Sequence, residues 1–216
     1  MKQFFFLLLL SISFSACDSS SGTNGDVTYA EIETDFGIMK VMLYNSTPRH
    51  RDNFIKLAKE GFYDDLLFHR VMGAFMIQGG DPDSKDAAPG SRLGQGGPGY
   101  MIDHEIGAPH LKGALAAART NNPKKQSSGS QFYLVQGMPI TSEALDEVEK
   151  QKGIKYNEVQ RKLYIENGGT PFLDAEYTVY GEIVEGLDVL DKIAAVQTDS
   201  GDRPIEDVKM KVRIVE

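Results

Sequence analysis

The sequence predicts a mainly β fold: a closed eight-stranded antiparallel barrel, capped by two helices and interrupted by an inserted helical hairpin. Two observations lead there. Short β-rich runs, separated by turn residues, recur from residue 27 to the end of the chain. Outside residues 141–169, only two segments carry an apolar stripe at helical spacing.

Val27–Thr34 and Ile38–Tyr44 are joined by Asp35-Phe36-Gly37, a hairpin signal. Met39, Val41 and Leu43 alternate as a half-buried strand requires. Thr47-Pro48 then reads as an N-cap followed by Pro at the first helical position, with Phe54, Leu57 and Ala58 as the stripe and Gly61 as the stop. Leu67–Val71, Phe75–Gln78 and Ala114–Ala118 are short strands between Gly-rich loops. Gln131–Val135 and Thr178–Val184 are two more, Leu187, Leu190, Ile193 and Ala194 mark the second helix, and Val208, Met210, Val212 and Ile214 share one face of a closing strand. Residues 141–169 break this rhythm. Ser142–Gln151 and Tyr156–Glu166 read as helices with thin stripes, Leu145/Val148 and Val159/Leu163, and with i,i+4 pairs Asp146–Lys150 and Glu158–Lys162. No internal repeat is visible.

Composition narrows the function classes. Lys and Arg total 23 against 31 Asp and Glu, a formal charge of −8, and no basic cluster occurs. Nucleic-acid binding and electrostatic seating on anionic lipid are therefore not expected. The chain has a single Cys, which forbids an intramolecular disulfide. His50, His104 and His110 lack metal-ligand spacing with it, so no metal site is expected. Asp81–Asp86 lacks the terminal Glu of a calcium loop. Gly94–Gly99 satisfies G-x-G-x-x-G but follows no strand and contains Pro98, so it reads as a flexible loop.

The chain opens with Met1-Lys2-Gln3 and an apolar run from Phe4 to Phe14 that is too short to cross a bilayer. Residues 1–16 read as a signal peptide. Phe14-Ser15-Ala16-Cys17 resembles the lipobox of bacterial lipoproteins, which implies lipidation of Cys17, and residues 17–26 read as a tether. Ordinary secretory cleavage nearby would instead leave Cys17 as a spare thiol. The expectation is a protein of the cell envelope, facing the periplasm or exterior and touching the membrane only through this anchor.

Three blocks carry the functional signal. The first, Tyr63 to Gly80, holds Tyr63, Leu66, Phe68, His69, Arg70, Phe75, Met76, Gln78 and Gly80; the second runs from Ala117 to Tyr133 and ends in Gly-Ser-Gln-Phe-Tyr; the third is Phe172 to Gly181. Together they resemble the cyclophilin-type peptidyl-prolyl cis-trans isomerases over roughly Val27 to Glu216, apart from the inserted hairpin. The resemblance implies catalytic roles for Arg70 and Gln78. It implies a proline socket of Phe75, Met76, Tyr133 and Leu173, and a strand-like grip on substrate by backbone around Ala118, Arg119 and Thr120 together with Gln131. It also implies a far rim of Phe172 and Tyr177. Trp and His are frequent in the family at these last two places. It further implies proline-containing polypeptides as partners, a monomer and no cofactor.

The chemistry suits these residue types. An X–Pro amide isomerises slowly because resonance sets a barrier of ~18–20 kcal/mol. Twisting ends conjugation and returns the lone pair to the prolyl nitrogen. A fixed charged donor aimed at that nitrogen gains strength only in the transition state, and the guanidinium of Arg70 is such a donor. His69, between apolar neighbours, reads as a hydrogen-bonded structural residue, and the Tyr133 hydroxyl at the pocket edge must find a partner. A proline-peptide binding module or holdase would use the same groove without needing Arg70. An acyl-transfer hydrolase has no Ser in a nucleophile-elbow pattern to support it.

Overall fold

The computed structural model describes residues 27–215. The expected leader, Cys17 and the tether lie outside the described residues. Alternation of apolar and polar residues builds the first hairpin, β1 (Thr28–Thr34) and β2 (Gly37–Leu43), paired from Thr28 opposite Leu43 to Thr34 opposite Gly37. Ala30, Ile32, Met39, Val41 and Leu43 all point into the core.

The remaining strands are β3 (Leu66–Leu67), β4 (Arg70–Met72), β5 (Met76–Gly79), β6 (Met101–Ile102), β7 (Ala114–Ala117), β8 (Ser127–Ser128), β9 (Phe132–Val135), β10 (Val179–Glu185) and β11 (Lys209–Val215). Nine of the eleven strands form one antiparallel sheet in the order β3-β11-β1-β2-β10-β7-β9-β5-β4, and β6 pairs with β8 apart from it. The expected closed eight-stranded barrel is thus replaced by an open nine-stranded sheet. Its two edge strands, β3 and β4, are neighbours in the chain, separated only by Phe68 and His69. Three residue steps span at most ~11 Å, so the sheet curls until its edges nearly meet. Those two residues carry the chain across the seam, and no ladder joins β3 to β4 among the described residues.

Helix α1 (Pro48–Lys59) buries Phe54, Leu57 and Ala58, and α4 (Leu187–Ala194) buries Val189, Leu190, Ile193 and Ala194. Thr47 stands at the N-cap position, but its hydroxyl donates to the Tyr44 carbonyl. The Glu105 carboxylate, remote in sequence, accepts instead from the Arg49 and His50 N–H groups at 3.1 and 3.0 Å. It supplies both the cap and the negative charge that the helix start favours.

The insertion is helical. Helix α2 (Ser142–Lys152) is capped by the Thr141 hydroxyl and stops at Gly153, whose φ is 65°. Helix α3 (Glu158–Asn167) begins with a reciprocal capping box between Asn157 and Gln160. The expected stripes hold only in part. Leu145 is fully buried, whereas Val159 is exposed and α3 buries Tyr164 instead. Asp146 pairs with Arg161 across the hairpin and Lys162 with Glu166, rather than in the expected i,i+4 combinations. Glu149, buried on α2, accepts from Lys155, from the Tyr156 N–H and from Arg161, closing the turn between the two helices. At the stem, Gly169 bridges both Met138 and Leu111, so the chain leaves and re-enters the domain side by side.

Candidate active site

Strand periodicity assigns the two faces of β5, β7 and β9. Ile77, Leu115, Ala117, Phe132 and Leu134 enter the main core, while Met76, Ala114, Ala116, Tyr133 and Val135 form a second apolar cluster on the other face. The ladder register then lines up one rung across four strands: Arg70 opposite Gln78, Gln78 opposite Tyr133, and Tyr133 opposite Ala116. Residues far apart in the chain therefore converge by pairing alone.

On this face lies a slot of mixed polarity, about 110 Å³, lined by Arg70, Phe75, Met76, Gln78, Ala118, Arg119, Tyr133, Leu173 and Tyr177. That is room for a few waters or one small ring. Arg70 is one of these lining residues, and three contacts hold its guanidinium. Its Nε reaches Asp202 Oδ2 at 3.4 Å, Nη1 reaches Gln78 Oε1 at 3.5 Å, and Nη2 contacts Met72 Sδ at 3.0 Å. A directional chain continues from there. Gln78 Nε2 donates to Gln131 Oε1 at 3.0 Å, and Gln131 Nε2 donates to the Gly96 carbonyl at 2.7 Å.

The β4–β5 turn is held in place by Gln136. Its Oε1 accepts from the Ala74 N–H at 2.7 Å and its Nε2 donates to Asp191 on α4. Ala74 has φ 63°, a conformation that needs such support outside glycine.

Phe172 is 54% exposed and lies outside the slot's lining, its ring packed 5.6 Å from that of Phe75. Tyr177 lines the slot itself, edge-on to Tyr133 at 6.0 Å. The Arg119 guanidinium lies 4.6 Å over the Tyr177 ring and donates to the Glu176 carbonyl and carboxylate, both at 3.1 Å. Lys125 clamps the same Glu176 from the other side, and its ammonium holds that carboxyl below its ordinary pKa range.

One expectation changes here. Ala118 borders the slot, but its N–H donates to the Gln131 carbonyl and its own carbonyl accepts from Ser128. Its N–H is therefore spent within the protein, while its carbonyl keeps a second lone pair.

The cleft extends beyond the slot into an open volume of about 420 Å³ bordered by Gly94–Gly97, Tyr100, Thr120, Ser128 and Gln131. The glycine loop, expected to be flexible, is tied down at two points: the Gly94 N–H donates to the Asp81 carboxylate, and the Gly96 carbonyl accepts from Gln131. A Cβ at Gly96 would run into the Asp81 and Asp83 carboxylates. Asp81 meanwhile caps the 3-10 turn at Pro82–Ser84.

The histidines divide by environment. His50 is buried between Glu105, at 2.7 Å, and Ser127, at 3.1 Å; burial pushes its pKa down despite the carboxylate. His69 is also buried with a lowered pKa. Its ring nitrogens complete no hydrogen bond of good geometry among the described residues, yet the Leu67 backbone lies close enough to favour the protonated ring, against the larger effect of burial. His110 is fully buried, bonded to Asp174 and Tyr133, which gives the Tyr133 hydroxyl its partner. Sequence reading missed Asp174, Asp202, Glu176 and Gln136. Most of their partners lie dozens of residues away, and no local pattern marks them. Among the described residues, no cluster of His, Cys, Asp and Glu could hold a metal ion, and no helix is long and apolar enough to cross a membrane.

Known proteins resemble this chain in sequence and in fold. A family model described as cyclophilin type peptidyl-prolyl cis-trans isomerase/CLD matches residues 29–214. A Streptococcus pyogenes protein named "Putative bifunctional phosphatase/peptidyl-prolyl cis-trans isomerase" is 38% identical over 200 residues, covering 91% of this chain but only 40% of that protein. A Staphylococcus haemolyticus "Putative peptidyl-prolyl cis-trans isomerase" is 34% identical over 178 residues, covering 82% of this chain and 85% of the relative. The crystal structure of a cyclophilin type isomerase from Cryptosporidium parvum shares the fold with a TM-score of 0.63 at 24% identity, covering 88% of this chain and 99% of that one. The same protein was crystallised in the presence of the dipeptide Ala-Pro, and that structure superposes with a TM-score of 0.62. The chain belongs to the cyclophilin-type peptidyl-prolyl cis-trans isomerase family.

Proposed function

We propose that this chain accelerates cis/trans rotation about X–Pro bonds of polypeptides folding outside the cytoplasm, with Arg70 recognising the twisted amide. The observation that carries the reading is Arg70 sharing the wall of a small slot with Phe75, Met76 and Tyr133. The slot takes the proline ring. Seating the ring excludes water from the prolyl nitrogen and fixes one side of the rotating bond. Gln78 and Asp202 hold the guanidinium over the slot. As the amide twists, the nitrogen becomes an acceptor and Arg70 donates to it. A hydrogen bond to a charged group is worth about 1.5–3 kcal/mol, which is one to two decades in rate at about 1.4 kcal/mol per decade. No bond to the protein forms, and the chemistry asks for no cofactor.

Isomerisation of an Ala-Pro peptide, followed with wild type and Arg70→Ala, tests this. At least a tenfold loss in kcat with a smaller change in KM is expected; equal rates would reject the mechanism. Affinity retained in a protein that never accelerates isomerisation would leave a proline-peptide binding module in its place. The site of action rests on residues 1–17, read as a signal peptide and a lipidated Cys17. Mass spectrometry of the mature N-terminus is expected to find acylated Cys17, and an intact Met1 would remove that part of the reading.

A further inference from the structure

The inserted hairpin does not merely sit beside the groove. Tyr156, between α2 and α3, and Tyr164, on α3, both donate their hydroxyls to Asp174 Oδ2 at 2.6 Å. The other oxygen, Oδ1, accepts from the His110 backbone N–H at 2.8 Å and lies 2.7 Å from His110 Nδ1. A carboxylate offers about four lone-pair positions, and here four donors converge on it. Because the carboxylate accepts, His110 Nδ1 carries the proton; Nε2 is then an acceptor, and the Tyr133 hydroxyl donates to it at 3.0 Å. The Tyr133 and His110 rings stack with centroids 6.1 Å apart at 12°. Tyr133 is part of the slot wall. A continuous buried path therefore runs from the insertion to the substrate pocket.

We propose that the insertion positions Tyr133 through this path, so that Tyr156, Tyr164, Asp174 and His110 are positioning residues for the isomerisation. The inference rests on the isomerase reading and deepens it. Removing the two tyrosine hydroxyls leaves one Asp174 oxygen without donors, frees that carboxylate to rotate, and loosens the imidazole that anchors Tyr133. Burial, followed by the nearby Asp174 charge, holds both phenols well above the ordinary tyrosine pKa, so they stay protonated donors at neutral pH.

The test is a double-mutant cycle between Tyr156→Phe/Tyr164→Phe and Tyr133→Phe, both shape-conserving. In the wild-type background the double Phe change is expected to lower kcat/KM for an Ala-Pro peptide by about threefold. In the Tyr133→Phe background it is expected to change almost nothing, because interacting residues are non-additive. Equal losses in both backgrounds, or no loss in either, would overturn the proposal. Proton NMR of the free protein gives a reading independent of turnover. The His110 Nδ1–H resonance is expected to be displaced by the double Phe change and again by adding Ala-Pro peptide. An unmoved resonance overturns the proposal, while a displaced resonance in a protein without turnover faults the isomerase reading and leaves the path standing.

Discussion

Arg70 stands directly across the β4–β5 ladder from Gln78, and their side chains meet at 3.5 Å, from Nη1 to Oε1. The glutamine is itself aimed by Gln131, which donates onward to the Gly96 carbonyl. The charged donor is thus oriented by a row of amides, with Asp202 as a half-exposed counter-ion at 3.4 Å.

Gln78→Leu removes the acceptor while keeping the side chain's bulk. We expect kcat for an Ala-Pro peptide to fall about three- to tenfold, since a hydrogen bond to a charged group is worth about 1.5–3 kcal/mol at good geometry and this one is long. Asp202→Ala should cost less than about threefold, because exposed ion pairs contribute about 0–1 kcal/mol. A larger loss from Asp202→Ala than from Gln78→Leu would reverse that ranking.

Gly96→Ala places a methyl group against the Asp81 and Asp83 carboxylates. The loop must move outward, and the Gln131 amide then loses its acceptor. We expect KM to rise severalfold with a smaller fall in kcat, visible in steady-state kinetics across a substrate titration. Unchanged KM would mean that the glycine loop does not shape the groove.

Glu105→Ala strips two N–H partners from the start of α1 and the carboxylate from buried His50. Loss of a helix cap costs about 0.5–2 kcal/mol. With the orphaned imidazole the total is about 2 kcal/mol, or a fall in Tm of about 5 °C by calorimetry for a domain of this size. Turnover at 25 °C should be close to wild type, since the slot is untouched.

His50 and His69 have pKa values pushed down by burial. Below about pH 6.5 the unfolded chain takes up protons that the folded one refuses, so stability falls as pH drops through that value. Above it, both rings are neutral in either state and contribute no slope. The urea midpoint should therefore decline between pH 7.5 and 5.5, ahead of the window below about 4.5 where Glu105 and Glu149, both held low by hydrogen-bonding partners despite burial, begin to protonate. His69→Phe, which replaces a buried titratable ring with an apolar one, should flatten part of that decline. An identical slope would show that His69 does not contribute.

Much of this was legible in the chain because the strands obey a period of two. The alternation of Met39, Val41 and Leu43, and the signature around Arg70, Phe75 and Gln78, anticipated both the first hairpin and the slot wall. What stayed hidden was long-range. Sheet closure depends on whether β3 and β4 pair, which no local pattern encodes. The cap of α1 comes from Glu105, not from Thr47. The thin stripes assigned to α3 failed because burial follows a polar bond, Tyr164 to Asp174, more than apolar spacing. Gly94–Gly99 looked loose for the same reason: its anchors, Asp81 and Gln131, lie outside the loop.

The stem of the insertion closes on glycines. Gly137 and Gly168 both adopt positive φ, 60° and 88°, and a Cβ at either would strike the opposite arm of the stem, at Gly169 or Met138. Because that neck is sealed by backbone, the curled sheet does not depend on what hangs from it. Lengthening such an excursion is entropically inexpensive, about 0.6 kcal/mol per doubling, so related chains are free to swap in shorter or longer versions. The tariff falls elsewhere: any replacement lacking hydroxyls opposite Asp174 would keep the architecture and leave the pocket wall less firmly set.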